Sequence, residues 1–201
     1  MPAPSPANLQ QPAPDLTHAA YITLQLERSI SLKAHDPGER ARHLISKMAA
    51  FLPTTPPPRT LCVGCRNAHE LDHLARAGYT HTLGIDLHST DPRIRVMDMH
   101  ALAFDDGAFD AAYASHSLEH ALHPRIVAAE LERVVRIGGL IVLEVPILYG
   151  RRGADLWDFE SPQSLAALFT RSRSLWSETG PQIGGNAQQA ARVILRREPA
   201  A

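Results

Sequence analysis

Apolar positions along the 201-residue chain change their spacing twice, and those changes divide it. Residues 1–15 (MPAPSPANLQQPAPD) have no apolar period, and their repeated prolines forbid helix, so a disordered, partly extended leader is expected. From Leu16 to about Phe51 the spacing becomes helical. Tyr21, Leu24, Ile30 and Leu32 form one run; Ala41, Leu44, Ile45, Met48 and Phe51 form a second. Asp36-Pro37-Gly38 reads as a turn and helix start between them, and the proline-rich stretch 52–59 reads as a stiff linker.

Beyond Arg59 short apolar runs alternate with amphipathic ones. The pattern predicts strands over 60–64, 80–87, 94–97, 109–115 and 140–145, with helices over 68–77 and 124–135. Gly78 is expected to stop the first of these helices and Gly138-Gly139 the second, while Asp105-Asp106-Gly107 reads as a turn. Ser161-Pro162 predicts a capped helix over 163–169. Two last strands, 174–178 and 191–196, flank a Gly/Asn-rich connection at 180–186. Parallel neighbours need crossover helices, so the first five strands predict a doubly wound α/β sheet. The last two lack a helix between them and are expected to pair antiparallel at one edge. The expected whole is a mostly parallel seven-stranded sheet with an antiparallel edge hairpin and an N-terminal helical cap. The expected division is a leader at 1–15, cap and linker at 16–58, and the main domain at 59–201.

Charge and composition narrow the function classes. The 20 basic and 21 acidic side chains give a net charge of −1, without the basic excess that a nucleic-acid groove requires. Arg151-Arg152 and Arg196-Arg197 are two short pairs, not a footprint. No apolar stretch approaches the ~20 residues of a membrane span, and the apolar run at 140–143 is broken by Glu144. The leader lacks a charged n-region followed by an apolar h-region, and two cysteines make no disulfide framework, so a cytoplasmic location is expected. No nucleic-acid or membrane partner is expected; no motif encodes the oligomeric state. Cys62 and Cys65 have C-x-x-C spacing, but Cys62 falls within a predicted buried strand rather than at a redox-type helix start.

Open parallel sheets bind ligands beyond the carboxyl ends of their strands. Four such ends carry polar residues: the 64–70 segment (GCRNAHE), Asp86, the 98–100 segment (DMH), and the 115–120 segment (SHSLEH). Asp86 follows Gly64 by about twenty residues, the interval that sets an acid on a ribose hydroxyl; a cap or loop acid is the alternative. Asp98 is placed to reach an adenine amino group or to be a solvated turn residue. G-x-G-x-x-G is absent, which argues against a nicotinamide enzyme. The 116–120 segment (HSLEH) matches the inverted zinc-peptidase signature, although no third ligand stands out downstream. Glu119 and His120 have a second reading as helix-capping ties. His116 and His120 have a third, as general bases, because imidazole titrates near neutrality. Trp157 and Phe159 belong either to an acceptor pocket or to the core.

The stretch 61–146 resembles the class I methyltransferases that bind S-adenosylmethionine, in particular the type 11 group. The resemblance rests on LCVGCRNAHEL, GIDLHS, VMDMHALAFDDGAFDAAYASHSLEH and LERVVRIGGLIVLEVP. Downstream, DLWDFESPQSLAALF is similar to a segment of methyltransferases from glycan and natural-product pathways. The resemblance implies a Rossmann-like fold, S-adenosylmethionine as cofactor, and methyl transfer to O, N or C of a small-molecule acceptor. It further implies Gly64 as the close-approach glycine; the chemistry of Arg66 or Asn67, in the same loop, suits a partner for the methionine carboxylate. Asp86 falls on the ribose, Asp98 with the Met99 backbone on the adenine, and Ser115 with His116 beside the methionine portion. The family loop reads G-x-G-x-G, whereas here Arg66 and Ala68 take the second and third places, and Cys62 stands where an acid is common. That departure supports an alternative, a cofactor-binding regulatory homologue without catalysis. A third alternative is a zinc hydrolase using His116, Glu119 and His120. The N-terminal helices, 16–51, are expected to act as a lid.

Overall fold

The computed structural model describes residues 16–31, 36–150, 153–183 and 189–199. The leader at 1–15, Leu32, the Arg151-Arg152 pair and residues 184–186 of the Gly/Asn-rich connection lie outside the described residues. Seven strands form one sheet in the order β3-β2-β1-β4-β5-β7-β6. They are β1 (Arg59–Val63), β2 (His81–Asp86), β3 (Ile94–Val96), β4 (Phe109–Ser115), β5 (Val135–Ile147), β6 (Ser172–Pro181) and β7 (Gln189–Arg197). The first five run parallel; β7 pairs antiparallel with both β5 and β6. The expected doubly wound sheet with its antiparallel edge is what the chain forms.

The helices are α1 (His18–Ser31), α2 (Gly38–Ala49), α3 (His69–Arg76), α4 (Pro124–Val134) and α5 (Pro162–Ala166), with a 3-10 turn at Leu118–His120. Side chains of a strand alternate between faces, so each strand feeds two cores. Leu61, Val63, Ile141, Leu143, Val193 and Leu195 join the layer containing Val127 and Leu131 of α4 and Leu165 of α5. Cys62, Leu140, Val142 and Ile194 join the opposite layer, with Leu71 and Leu74 of α3. Ala41, Leu44, Ile45 and Met48 of α2 belong to that second layer too. The N-terminal helices therefore have different duties: α2 is a wall of the core, and α1 lies over the strand ends with only Tyr21 and Gln25 buried.

Three boundaries differ from the pattern. The chain passes from α4 into β5 at Val134-Val135, so Gly138-Gly139 lies within a 13-residue strand instead of ending the helix. A Cβ at Gly139 would stand 2.6 Å from the Asp110 carbonyl oxygen, where the β4–β5 register shifts between Phe109 and Ala111. The glycine therefore permits close backbone approach at an irregular pairing. Helix α5 is shorter than expected because its last turn tightens: Leu168 and Phe169 donate to Leu165 and Ala166, three residues back. Ser161 does cap it, accepting from Ser164 N, with Pro162 first in the helix. Strand β6 runs longer than expected because none of its residues is buried, so no continuous apolar run marks it.

The turn after β1 carries the strongest steric demand. Gly64 has φ +77°, and a Cβ there would sit 2.2 Å from Ser117 Oγ. Ala68, at the head of α3, has φ +60° and is buried. Gly64→Ala is expected to lose about 2–5 kcal/mol, combining left-handed strain with overpacking against Ser117. Ala68→Gly relieves about 1–2 kcal/mol of backbone strain, but it gives up a buried methyl and loosens the unfolded chain by similar amounts. Urea unfolding should place Ala68→Gly within about 0.5 kcal/mol of the wild type and Gly64→Ala far below it; comparable losses in the two variants would contradict this account.

Candidate functional site

Strand β1 has β2 on one side and β4 on the other, so the order reverses at its carboxyl end. A cavity of about 410 Å³ opens there, in the range of small-ligand sites. Gly64, Arg66, Asn67, Asp86, Met99, Ser115, His116 and His120 all line it. Asp98 does not. Its carboxylate meets His100 Nδ1 at 2.6 Å and His18 Nε2 at 3.0 Å, so it fastens α1 to the segment after β3. Those contacts outweigh the burial that opposes its charge and hold its pKa below the usual carboxylate value.

Asp86 ends β2 and organises two turns. One oxygen accepts from Arg66 N at 3.1 Å and the other from His88 N at 3.0 Å. Burial nevertheless raises its pKa above the ordinary carboxylate value. The Arg66 side chain spans to the cap, donating from Nη1 to Ser29 O at 2.9 Å. Its carbonyl accepts from Ser89 Oγ at 2.8 Å.

His116 has φ +55°, and its ring stands between two buried carboxylates: Nδ1 lies 3.3 Å from Glu119 and Nε2 3.2 Å from Glu144. Burial opposes a charge on this ring, but the two glutamates prevail and raise its pKa above the ordinary imidazole value. The same contacts overcome desolvation at Glu119 and Glu144, lowering both. Glu144, 0% exposed, also receives Arg192 Nε at 2.5 Å, and Arg40 Nε lies 3.8 Å away. The two carboxylates thus favour the charged form of the His116 ring.

His120 is differently placed. Its Nδ1 lies 3.0 Å from Ala154 O and 3.2 Å from Asp155 Oδ1. Two acceptors at Nδ1 select the tautomer protonated there, which leaves Nε2 with the lone pair. Gln25 of α1 donates to Ala154 O and His120 O, at 2.9 and 3.2 Å, tying this corner to the cap. The two histidines turn to different carboxylates, and no group of three or more His, Cys, Asp and Glu suited to a metal exists among the described residues.

Cys62 and Cys65 are reduced and buried. A Cβ at Gly84 would meet Cys65 Sγ at 2.5 Å, so this thiol is committed to packing. Trp157 and Phe159 belong to the α4–α5 core, with Trp157 Nε1 donating to Ala121 O. Sequence reasoning missed Glu70, Arg40, Gln25 and Asp155. Glu70 lines the cavity, and burial pushes its pKa up to about 7. Glu144 offered a usable signal, a lone acid inside the most apolar strand.

The cavity suits a nucleoside carrying an amino-acid tail. Asp86 offers a carboxylate at the strand end, Ile85, Leu87, Met97 and Met99 offer apolar surface, and the Ser115 hydroxyl is buried without a hydrogen-bond partner. No helix among the described residues is long and apolar enough to cross a membrane.

Residues 61–143 match the family model of a methyltransferase domain. A demethylmenaquinone methyltransferase of Clavibacter sepedonicus is 37% identical over 97 residues, covering 44% of this chain and 40% of that protein. The chain thus matches two-fifths of that curated relative's length. Among solved structures, the [4+2]-cyclase SpnF superposes with a TM-score of 0.69 at 16% identity, over 94% of this chain and 99% of that one. The 1,6-didemethyltoxoflavin-N1-methyltransferase of Burkholderia thailandensis, with 1,6-didemethyltoxoflavin and S-adenosylhomocysteine bound, superposes at 0.66 and 17% identity, over 93% of each chain. At such identities the likeness is one of fold. Over residues 61–143 the chain is thus similar in sequence to a methyltransferase domain, and over most of its length similar in fold to methyltransferases.

Proposed function

We propose that the chain transfers a methyl group from S-adenosylmethionine to an O, N or C nucleophile of a small-molecule acceptor. One observation carries the reading: the turn after β1, Asp86, Met99, Ser115 and His116 come from four strand ends and line a single cavity. When bound, the cofactor supplies a methyl on a sulfonium, and the C–S electron pair returns to sulfur as the nucleophile bonds to carbon. The chain's part is positioning and exclusion of water. Asp86 accepts from the ribose hydroxyls, Met97 and Met99 flank the adenine, and α1 closes over the acceptor side. Asp98 acts at one remove, anchoring α1 through His18.

His120, oriented by Asp155, takes the acceptor's proton where the nucleophile carries one. His116 is less suited to that role, because both its ring nitrogens face buried carboxylates, Glu119 and Glu144. The named substrates of two similar proteins, a demethylmenaquinone and 1,6-didemethyltoxoflavin, are small molecules. Together with the 155–169 segment, they favour a natural-product or glycan-type acceptor here. Two reduced thiols suit the cytoplasm. A second reading draws support from Arg66, whose side chain reaches from the cofactor loop to α1: cofactor binding without methylation, in a regulatory subunit. Calorimetry with S-adenosylmethionine and S-adenosylhomocysteine tests both. Binding accompanied by acceptor methylation supports the enzyme, binding without methylation of any acceptor supports the subunit, and no binding overturns both.

Asp86→Asn is expected to weaken S-adenosylhomocysteine by about 1–3 kcal/mol, through loss of charge-assisted hydrogen bonds. An unchanged dissociation constant would take Asp86 off the ribose.

His120→Ala should lower kcat by about 10²–10⁴-fold with cofactor affinity retained. Asp155→Asn should lower kcat in the same direction. An unchanged kcat in His120→Ala would assign the proton to another group.

A further inference from the structure

Two carboxylates line the cavity, and they differ in one respect. Asp86 accepts two backbone N–H groups. Glu70, in the first turn of α3 and only 7% exposed, has no hydrogen bond or ion pair to any described residue. A buried carboxylate in that condition is costly unless it stays protonated or meets a cation.

The charges around it come from every neighbouring element. Arg40 of α2 and His116 after β4 are the cations that favour its ionised form, and Asp86 of β2 and Glu144 of β5 oppose it. The Cys62 thiol of β1 and the Tyr113 hydroxyl of β4 complete the surroundings, and burial holds both well above their usual pKa. His116 is already committed to Glu119 and Glu144. Arg40 stands 3.8 Å from Glu144, and its Nε has no hydrogen-bond partner. One chamber therefore presents an unpartnered carboxylate and an under-used guanidinium that do not pair with each other. That is the complement of a zwitterion.

We propose that Glu70 receives the α-ammonium group of the methionine portion of S-adenosylmethionine, with Arg40 facing its α-carboxylate. The assignment rests on the cofactor reading above. It gives Glu70 a positioning role: the tail is held at the head of α3, while Asp86 holds the ribose at the end of β2. Because burial pushes Glu70 up to about 7, the free chain carries a proton there over part of the neutral range. An arriving ammonium expels it. Binding favours the ionised form, so affinity should rise with pH through that value and then level off.

The test is calorimetry on the full chain with two probes. S-adenosylhomocysteine carries the amino-acid tail, and 5′-methylthioadenosine lacks it. For the wild type, affinity for S-adenosylhomocysteine should climb about tenfold between about pH 6 and pH 8, with net proton release seen by comparing buffers. Glu70→Gln should weaken S-adenosylhomocysteine by about tenfold at the upper pH and flatten the slope, because a neutral amide loses the ionic part of the contact. Its affinity for 5′-methylthioadenosine should move by less than about twofold, which also reports that the variant is folded. Glu70→Asp should recover part of the slope. Equal losses for both probes in Glu70→Gln, or unchanged binding of S-adenosylhomocysteine, would overturn the assignment and leave the cofactor reading standing. A wild type that binds neither probe would overturn the cofactor reading itself, and this assignment with it.

Discussion

Glu144 sets the terms for much of this molecule. A fully buried carboxylate in the middle of an apolar strand needs positive partners, and removing one from such a group costs about 3–5 kcal/mol. The partners come from three directions. Arg192 stands opposite it in the β5–β7 ladder, with its Nη1 continuing to Glu178 of β6, so one row of alternating charge crosses the antiparallel edge. His116 comes from the turn after β4, and Arg40 from α2. One acid thus registers the last strands, holds the left-handed turn at His116, and draws α2 against the sheet. It also shapes electrostatics in the cavity, because with Glu119 it favours the charged form of the histidine they share.

How much of this could be read from the chain depends on which forces act locally. Short apolar runs separated by amphipathic ones mark parallel strands buried on both faces, and this pattern located the five parallel strands; β6, with no buried residue, was legible over only part of its length. Proline, serine and glycine punctuation placed the starts of α2 and α5. The passage from α4 into β5 was illegible because no connecting residues intervene; the glycines that looked like a helix stop serve a contact with Asp110, across the sheet. At the site, residues at strand ends were legible because topology alone brings them together. Asp98 lies outside the cavity lining because it is taken up by His100, two residues on, and by His18, which arrives from α1 without a local signal. Glu70 sits on a helix whose polar residues look solvent-facing in sequence, and only the packing of α2 against α3 reveals its burial.

The loop after β1 shows how a backbone path survives altered residues. Ala68 takes a left-handed conformation usually left to glycine, and its buried methyl compensates much of the strain. Arg66 has its main chain held by Asp86 and Ser89 and its side chain sent to α1. The path is kept while the chemistry of the rim changes. A [4+2]-cyclase among the similar folds makes the general point that this scaffold hosts more than one reaction, so chemistry must be argued from the rim.

The attachment of α1 has a further consequence. It rests on the strand ends through Gln25, the His18–Asp98 contact and the Arg66 bond to Ser29, with Tyr21 as its single buried aromatic ring. Water satisfies each of those polar groups when the helix lifts, so little apolar surface is newly wetted. Parting either helical layer from the sheet would expose a whole core instead. Separating this helix from the strand ends would thus wet far less apolar surface than parting either helical layer from the sheet.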